Sequence, residues 1–91
     1  MRIAAVQHDT VWNDCDANFA RLAPMVAAAA AGGADLVLLT EMFSTGFVVD
    51  GSIHVEPEGG SSSQFLAAQA AEHGVWEIGR ASCRERGSVL V

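Results

Sequence analysis

Two short apolar segments, separated by one helical segment, decide most of what this chain can fold into. The first, Arg2–Gln7, is apolar on both faces, as the strands of parallel sheets are. The second, Leu36–Leu39, is an unbroken apolar run, and the segment between them, Ala17–Ala31, has the helical period. Strand, helix and strand within about 40 residues predict a βαβ unit of class α/β, in which the two strands are parallel.

The helical segment Ala17–Ala31 has an apolar stripe and recognisable ends. Its stripe follows the spacing i, i+3, i+7 and i+11 and comprises Phe19, Leu22, Val26 and Ala30. Pro24 predicts either a kink or a late first turn. Gly32–Gly33 is the expected stop. The candidate N-caps are Asn13, Asp14 and Asp16.

The second half of the chain is predicted to contain a loop, a helix and a strand. Phe43–Ser63 is rich in glycine, serine and acidic residues, which favours a loop. Ser61–Ser63 can cap a helix over Gln64–His73, which Gly74 would end. Val75–Trp76 then opens a third strand.

The last segment, Glu77–Val91, differs in character from everything before it. It holds three of the five basic residues, and its first residues do not continue an apolar strand. The ten residues 77–86 match the translation, in one frame, of a common short-read sequencing adapter. We therefore interpret 77–91 as a non-native tail and 1–76 as the N-terminal part of the natural domain. The alternative is a natural basic C-terminal strand or tail.

Charge and composition exclude several classes of partner. The net charge of −6 argues against binding to nucleic acid or to anionic membranes. No apolar run approaches the ~20 residues that span a bilayer, and the N-terminus lacks the pattern of a signal peptide, so we expect a cytoplasmic protein. Cys15 and Cys83 fit neither a disulfide framework nor a zinc site. The sequence contains no lysine.

One carboxylate stands where an apolar strand ends. Glu41 follows Leu36–Leu39 and Thr40 and precedes Met42, Phe43 and a glycine turn. Ligands collect at the carboxyl ends of the strands in open α/β sheets. A partly desolvated carboxylate at such an end is a usable proton acceptor, which predicts a general base. From position alone, the alternative is a glutamate that caps a helix or anchors the loop.

Two stretches of the chain resemble the nitrilase-related carbon–nitrogen hydrolases. They are MRIAAVQHDTVWNDCDANFARLAPMV and GADLVLLTEMFSTGF, and the similarity extends to about Trp76. The resemblance implies an α-β-β-α sandwich, of which this chain would hold the N-terminal βαβ-α-β portion. The stretches EMFSTGF and SSSQFLAAQAAEHGVW are most similar to the ω-amidase-type branch, which hydrolyses the terminal amide of short 2-oxo-dicarboxylic acid monoamides. Thr40 departs from the proline that many members carry there, which puts the stiffness of the loop in doubt.

The resemblance also implies a Glu-Lys-Cys catalytic set that needs no metal or organic cofactor. Glu41 matches the family's general base, whereas the family's lysine and cysteine fall downstream of Trp76. The chain would then be an inactive fragment of a homo-oligomeric amidase that acts on a small-molecule amide. Two alternatives keep the superfamily and change the substrate, to an N-carbamoyl compound or to the glutamine used by an NAD synthetase. A third alternative is a non-catalytic α/β binding module.

The remaining candidates for the site have simpler explanations. The candidates for the pocket lining are His8, Met42 and Phe43. The alternative for His8 is a hydrogen-bonded polar residue at the strand exit, and the alternative for Met42 and Phe43 is a place in the core. Cys15 lies just before a helix but has no basic neighbour, and Cys83 lies in the adapter-like tail. We expect neither cysteine to be the nucleophile.

Overall fold

The computed structural model describes residues 1–46, 60–80 and 88–90 and has a mixed α/β architecture. Its elements in chain order are strand β1 (Ile3–Val6), helix α1 (Cys15–Ala31), strand β2 (Leu36–Glu41), helix α2 (Ser61–His73), strand β3 (Trp76–Arg80) and strand β4 (Ser88–Leu90). Most of the predicted loop Phe43–Ser63 lies outside the described residues. Neither helix of the described part is long and apolar enough to cross a membrane.

The strands form one sheet in the order β1-β2-β3-β4. β1 pairs in parallel with β2, with Val6 opposite Leu39, and β2 pairs in parallel with β3, with Val37 opposite Glu77. β4 runs antiparallel to β3. The predicted βαβ unit with parallel strands is therefore confirmed.

Helix α1 forms because its start is capped and its apolar stripe is covered. The Asp14 side chain accepts a hydrogen bond from the Ala17 N–H at 3.1 Å, so Asp14 is the N-cap among the candidates. Leu22 and Val26 are fully buried, which confirms the stripe. Pro24 lies in the helix interior and is not part of the first turn.

Helix α2 begins earlier than the sequence predicts. Its N-cap is Gly60, with no side-chain hydrogen bond to the helix end, so the expected capping by Ser61–Ser63 is wrong. The serines lie inside the first turn, where Ser62 is buried. The C-terminus follows expectation: Gly74 adopts the left-handed conformation, with φ 65°, that glycine tolerates best.

Both helices pack against one face of the sheet, and the core lies between them. It contains apolar residues of β1, β2, both helices and the segments that connect them: Val6, Leu22, Val26, Ala34, Val37, Phe43, Leu66 and Val75. The opposite face of the sheet leaves Ile3, Trp76 and Ile78 exposed. The described part of the chain is thus a two-layer structure with one bare sheet face.

β3 runs past Trp76 as far as Arg80, so the expectation that the strand fails to continue beyond Trp76 is wrong. Glu77 and Gly79 both face the helix layer and are buried. Ser88–Leu90 pairs with β3, while residues 81–87, including Cys83, lie outside the described part. Strand pairing carries no information about the origin of the codons, so the attribution of 77–91 to adapter DNA stays a prediction.

Candidate active site

Glu41 is the last residue of β2, as the sequence predicts. Leu38 pairs with Ile78 and Glu41 pairs with Arg80, so β2 has one more residue than β3 between these two pairs. Irregularities of this kind bend a strand and re-aim side chains. The Glu41 side chain is exposed, so the expected partial desolvation is wrong for this chain. The carboxylate is held at the carboxyl edge of the sheet and is accessible.

A tight turn follows Glu41 immediately. Met42 has a φ of 57°, a left-handed conformation that costs a non-glycine residue about 1–2 kcal/mol. The N–H groups of Thr45 and Gly46 donate to the Met42 carbonyl at 3.3 and 2.8 Å. We call Glu41–Gly46 the Glu41 turn. Its backbone is held in an unfavourable conformation by the packing around it.

The buried amide of Asn18 anchors the Glu41 turn to α1. Its Nδ2 lies 2.6 Å from the Ser44 carbonyl, 2.7 Å from that of Val11 and 2.9 Å from that of Asp14. Its Oδ1 accepts from the Val11 N–H at 2.7 Å. Asn18 is fully buried. One amide thus joins the β1–α1 loop, the start of α1 and the turn that follows Glu41.

Two further contacts hold the same turn. The Asn13 N–H donates to the Thr45 carbonyl at 2.6 Å, which ties the turn to the β1–α1 loop a second time. The Ser62 hydroxyl donates to the Ser44 hydroxyl at 2.8 Å, and both side chains are buried. The first turn of α2 is therefore attached to the Glu41 turn as well.

His8 lies just beyond the end of β1, beside the end of β2. Its Nε2 is 3.0 Å from the Phe43 carbonyl, which can only accept, so Nε2 carries the hydrogen. Its Nδ1 is buried and has no hydrogen-bond partner in the part of the chain that the structure describes. The structure thus brings His8 to the Glu41 turn. Its role in lining a pocket stays a prediction.

Met42 and Phe43 are both buried. The Phe43 ring lies 6.4 Å from that of Phe19 and 6.3 Å from that of Phe65, and Phe19 and Phe65 stack at 4.5 Å. A Cβ on Gly79 would lie only 2.7 Å from Cε1 of Phe43, so β3 needs a glycine beneath this ring. Phe43 is therefore a core residue, as the alternative to pocket lining predicts. A role of Met42 and Phe43 in lining a pocket stays a prediction.

The cysteines and the acidic groups suggest no second centre in the described residues. Cys15 is a partly buried cysteine at the first position of α1 and forms no disulfide within the described residues. Cys83 lies outside the described part. Among residues 1–46, 60–80 and 88–90, no three His, Cys, Asp or Glu side chains are grouped in a way that could hold a metal ion.

Sequence reasoning missed the buried polar residues around the Glu41 turn, namely Asn18, Ser44, Thr45 and Ser62. A signal for Asn18 was present. It lies four residues before Leu22 and eight before Val26, on the face of α1 that is buried. A polar residue on a buried stripe requires partners, and these are backbone groups that no sequence pattern identifies.

Comparison with known proteins agrees with this geometry. A family model described as carbon-nitrogen hydrolase matches residues 2–90. The crystal structure of XC1258 from Xanthomonas campestris, described as a CN-hydrolase superfamily protein with an arsenic adduct in the active site, is similar at 30% identity with a TM-score of 0.80. The match covers 93% of this chain and 32% of that one. A search of curated proteins gave no significant match. The chain belongs to the carbon–nitrogen hydrolase family.

Proposed function

We propose that Glu41 is the general base of an amidase whose cysteine nucleophile and oxyanion-binding lysine lie outside this chain. The observation that carries the proposal is the place of Glu41, exposed at the end of the second parallel strand in a member of this family. Ligands of open α/β sheets bind at this edge. The fixed Glu41 turn supports the proposal, because a base acts efficiently only when its position is set.

The proposed chemistry needs a base at this point. A free thiol has a pKa of ~8.5 and is mostly protonated at neutral pH, so a carboxylate that accepts its proton speeds attack on the amide carbon. A lysine stabilises the negative oxygen of the tetrahedral intermediate. The protonated Glu41 then returns this proton to the amide nitrogen, so that ammonia leaves and a thioester remains. The regenerated carboxylate accepts a proton from the water that hydrolyses the thioester.

The sequence of this chain supplies only one of the three groups. It has no lysine, and Cys15 lies at the start of α1 with no basic residue beside it in sequence. The chain spans about a third of the similar solved structure, 32% of its length. Arsenic binds thiols readily, so the adduct described in that protein's active site is compatible with a cysteine nucleophile in this family. We expect the 91-residue chain alone to release no ammonia from amides.

For the substrate, we propose the terminal amide of a short 2-oxo-dicarboxylic acid monoamide. The support is the similarity of EMFSTGF, which includes Glu41 and its turn, to the ω-amidase-type branch. A substrate screen with such monoamides, N-carbamoyl amines and glutamine distinguishes this proposal from the two related enzyme activities. Turnover of none of them would favour a binding module.

The deciding experiment uses a longer enzyme in which this sequence continues through a cysteine and a lysine. Glu41→Gln keeps the size of the side chain and removes the base, so kcat should fall by about 10²–10⁴-fold. Glu72→Gln is the matched control, because Glu72 is an exposed glutamate on α2. Near-normal turnover by Glu41→Gln would show that Glu41 only anchors the loop.

A further inference from the structure

We propose that Asn18 is a positioning residue for Glu41, acting through the backbone of the Glu41 turn. The inference rests on the proposed function, because it matters to catalysis only if Glu41 is the base. Asn18 lies on α1, far from Glu41 in sequence, and its side chain is fully buried. It acts on the turn through the Ser44 carbonyl, 2.6 Å from its Nδ2.

Only a carboxamide fits the groups around this side chain. Its Oδ1 accepts from the Val11 N–H, and its Nδ2 donates to the carbonyl oxygens of Val11 and Ser44. The Asp14 carbonyl, which already accepts from the Asn18 N–H, lies 2.9 Å from the same Nδ2. Aspartate would offer the acceptor and no donor, and leucine would offer neither.

The turn that Asn18 holds contains the strained residue next to the base. Met42 directly follows Glu41 and has a φ of 57°, so its backbone tends toward a more extended conformation. The turn is closed by the Gly46 N–H, which donates to the Met42 carbonyl at 2.8 Å, and is tied down at Ser44 and Thr45. Loss of the Asn18 amide removes the tether at the Ser44 carbonyl, and the bond from Asn13 to Thr45 remains. With one tether fewer, we expect Met42 to relax and to shift the Glu41 backbone.

The first test measures the turn directly, by amide hydrogen exchange in the 91-residue chain. Two N–H groups report on the turn: that of Gly46, which donates to Met42 within it, and that of Asn13, which donates to Thr45 from the β1–α1 loop. In Asn18→Ala, both should exchange about tenfold faster or more relative to the N–H groups of β2. Asp14→Ala is the control, because it removes the cap of α1 and leaves the Asp14 carbonyl in place. Equal protection of Gly46 in Asn18→Ala and the unaltered chain, or equal loss in both variants, would overturn the proposal.

The second test measures catalysis in the longer enzyme. Asn18→Ala should lower kcat roughly 10–100-fold with little change in KM, because the base is misplaced while substrate contacts remain. In a Glu41→Gln background the same substitution should lower kcat no further, since its effect passes through Glu41. A residue needed only for stability would lower activity in both backgrounds.

The outcomes separate the two proposals. If Glu41→Gln keeps its activity, the general base assignment fails, whatever Asn18 does to the turn. If Glu41→Gln loses activity and Asn18→Ala keeps its kcat, only the positioning role fails. Should Asn18→Ala not fold, Asn18→Ser, which retains one hydroxyl donor, is measured in its place, with an intermediate loss of Gly46 protection and of kcat expected. Unchanged values in Asn18→Ser would count against the proposal.

Discussion

Glu77 lies opposite Val37 at the centre of the sheet, with its carboxylate turned into the core beneath the helices. Its side chain is fully buried, and neither oxygen has a hydrogen-bond partner in the described part of the chain. Burial raises the pKa of this carboxyl from 4.5 to about 7. A charged carboxylate without a partner in a core is among the more destabilising features a small domain can contain.

Stability should therefore fall as pH rises from about 4.5 to about 7. The folded protein holds the Glu77 proton more tightly than the unfolded chain does, so the favourable contribution is complete below the unfolded pKa and is lost as the folded form ionises. A shift of this size corresponds to about 3 kcal/mol. Urea unfolding across this range, compared with Glu77→Gln, isolates the effect, because the other titrating groups are common to both. Parallel pH profiles for the two proteins would refute it.

Replacing the buried carboxylate by an apolar side chain should stabilise the fold. Glu77→Val suits an inward position of a parallel strand and removes the charge, so the free energy of unfolding at pH 8 should rise by about 2–4 kcal/mol. The gain should be smaller at pH 4, where Glu77 is neutral. Glu72→Val, at an exposed position of α2, is the control and should change stability by less than about 0.5 kcal/mol. A loss of stability in Glu77→Val would mean that the carboxylate has a partner.

The sequence predicts those features that depend on local pattern. β1, α1 and β2 follow from the period of the apolar residues, and the strand-end position of Glu41 follows from them. The sequence offers three candidate caps for α1, and only the structure selects Asp14. The hydrogen bonds of Asn18 cannot be predicted in this way. The Ser44 carbonyl is distant in sequence, and a backbone carbonyl gives no sequence signal because every residue has one. The extra residue in β2 before Glu41 cannot be predicted from the sequence either, because it is defined by the pairing of β2 with β3.

The segment that begins at Glu77 forms a strand that its sequence does not predict. Its composition predicts no strand, yet Trp76–Arg80 is a strand because its backbone pairs with β2 and its glycine fits beneath Phe43. Backbone pairing is open to almost any sequence. Side-chain fit is more demanding, and the buried Glu77 carboxylate has no hydrogen-bond partner among the residues that the structure describes. The attribution of 77–91 to adapter DNA stays a prediction, because Glu77 fits the core poorly and Gly79 fits it closely.

The two glycines that end the helices should differ in how much stability they lose when replaced by alanine. Gly74 has a φ of 65° and open space where a Cβ would be, so Gly74→Ala should cost about 1 kcal/mol from backbone strain alone. Gly32, the C-cap of α1, has a φ of −78° and only ordinary contacts, so Gly32→Ala should be neutral or slightly stabilising. Thermal or urea unfolding of both variants checks the contrast. Equal effects would contradict it.

The bare face of the sheet should make the isolated chain self-associate. Ile3, Leu36 and Trp76 lie side by side across β1, β2 and β3, and Ile3 and Trp76 are more than half exposed. Exposed contiguous apolar surface of this kind drives association. Trp76→Thr should shift sedimentation toward monomer, whereas Trp12→Thr, which removes an equally exposed tryptophan from the β1–α1 loop, should not. A monomeric unaltered chain with a sharp two-state melt would contradict this expectation.

The length of the Glu41 side chain should matter as much as its charge. In the longer enzyme, Glu41→Asp keeps a carboxylate and withdraws it by about 1.5 Å, so kcat should fall by roughly 10²-fold. A fixed turn makes this test sharp, since the backbone cannot advance to restore the distance. Recovery of most of the activity by aspartate would indicate a loose site. Steady-state ammonia release with the best monoamide substrate gives the comparison.

The order of the strands has a consequence for how the molecule forms on the ribosome. Each parallel strand pairs with the one made just before it, so β1 and β2 can dock across α1 while β3 is still being synthesised. Pairings between successive strands also keep the loops to be closed short, which favours rapid formation. Glu41 is an exception to this early completion. The extra residue before Glu41 is defined only against β3, so the strand register at Glu41 is complete only after the third strand has emerged and paired.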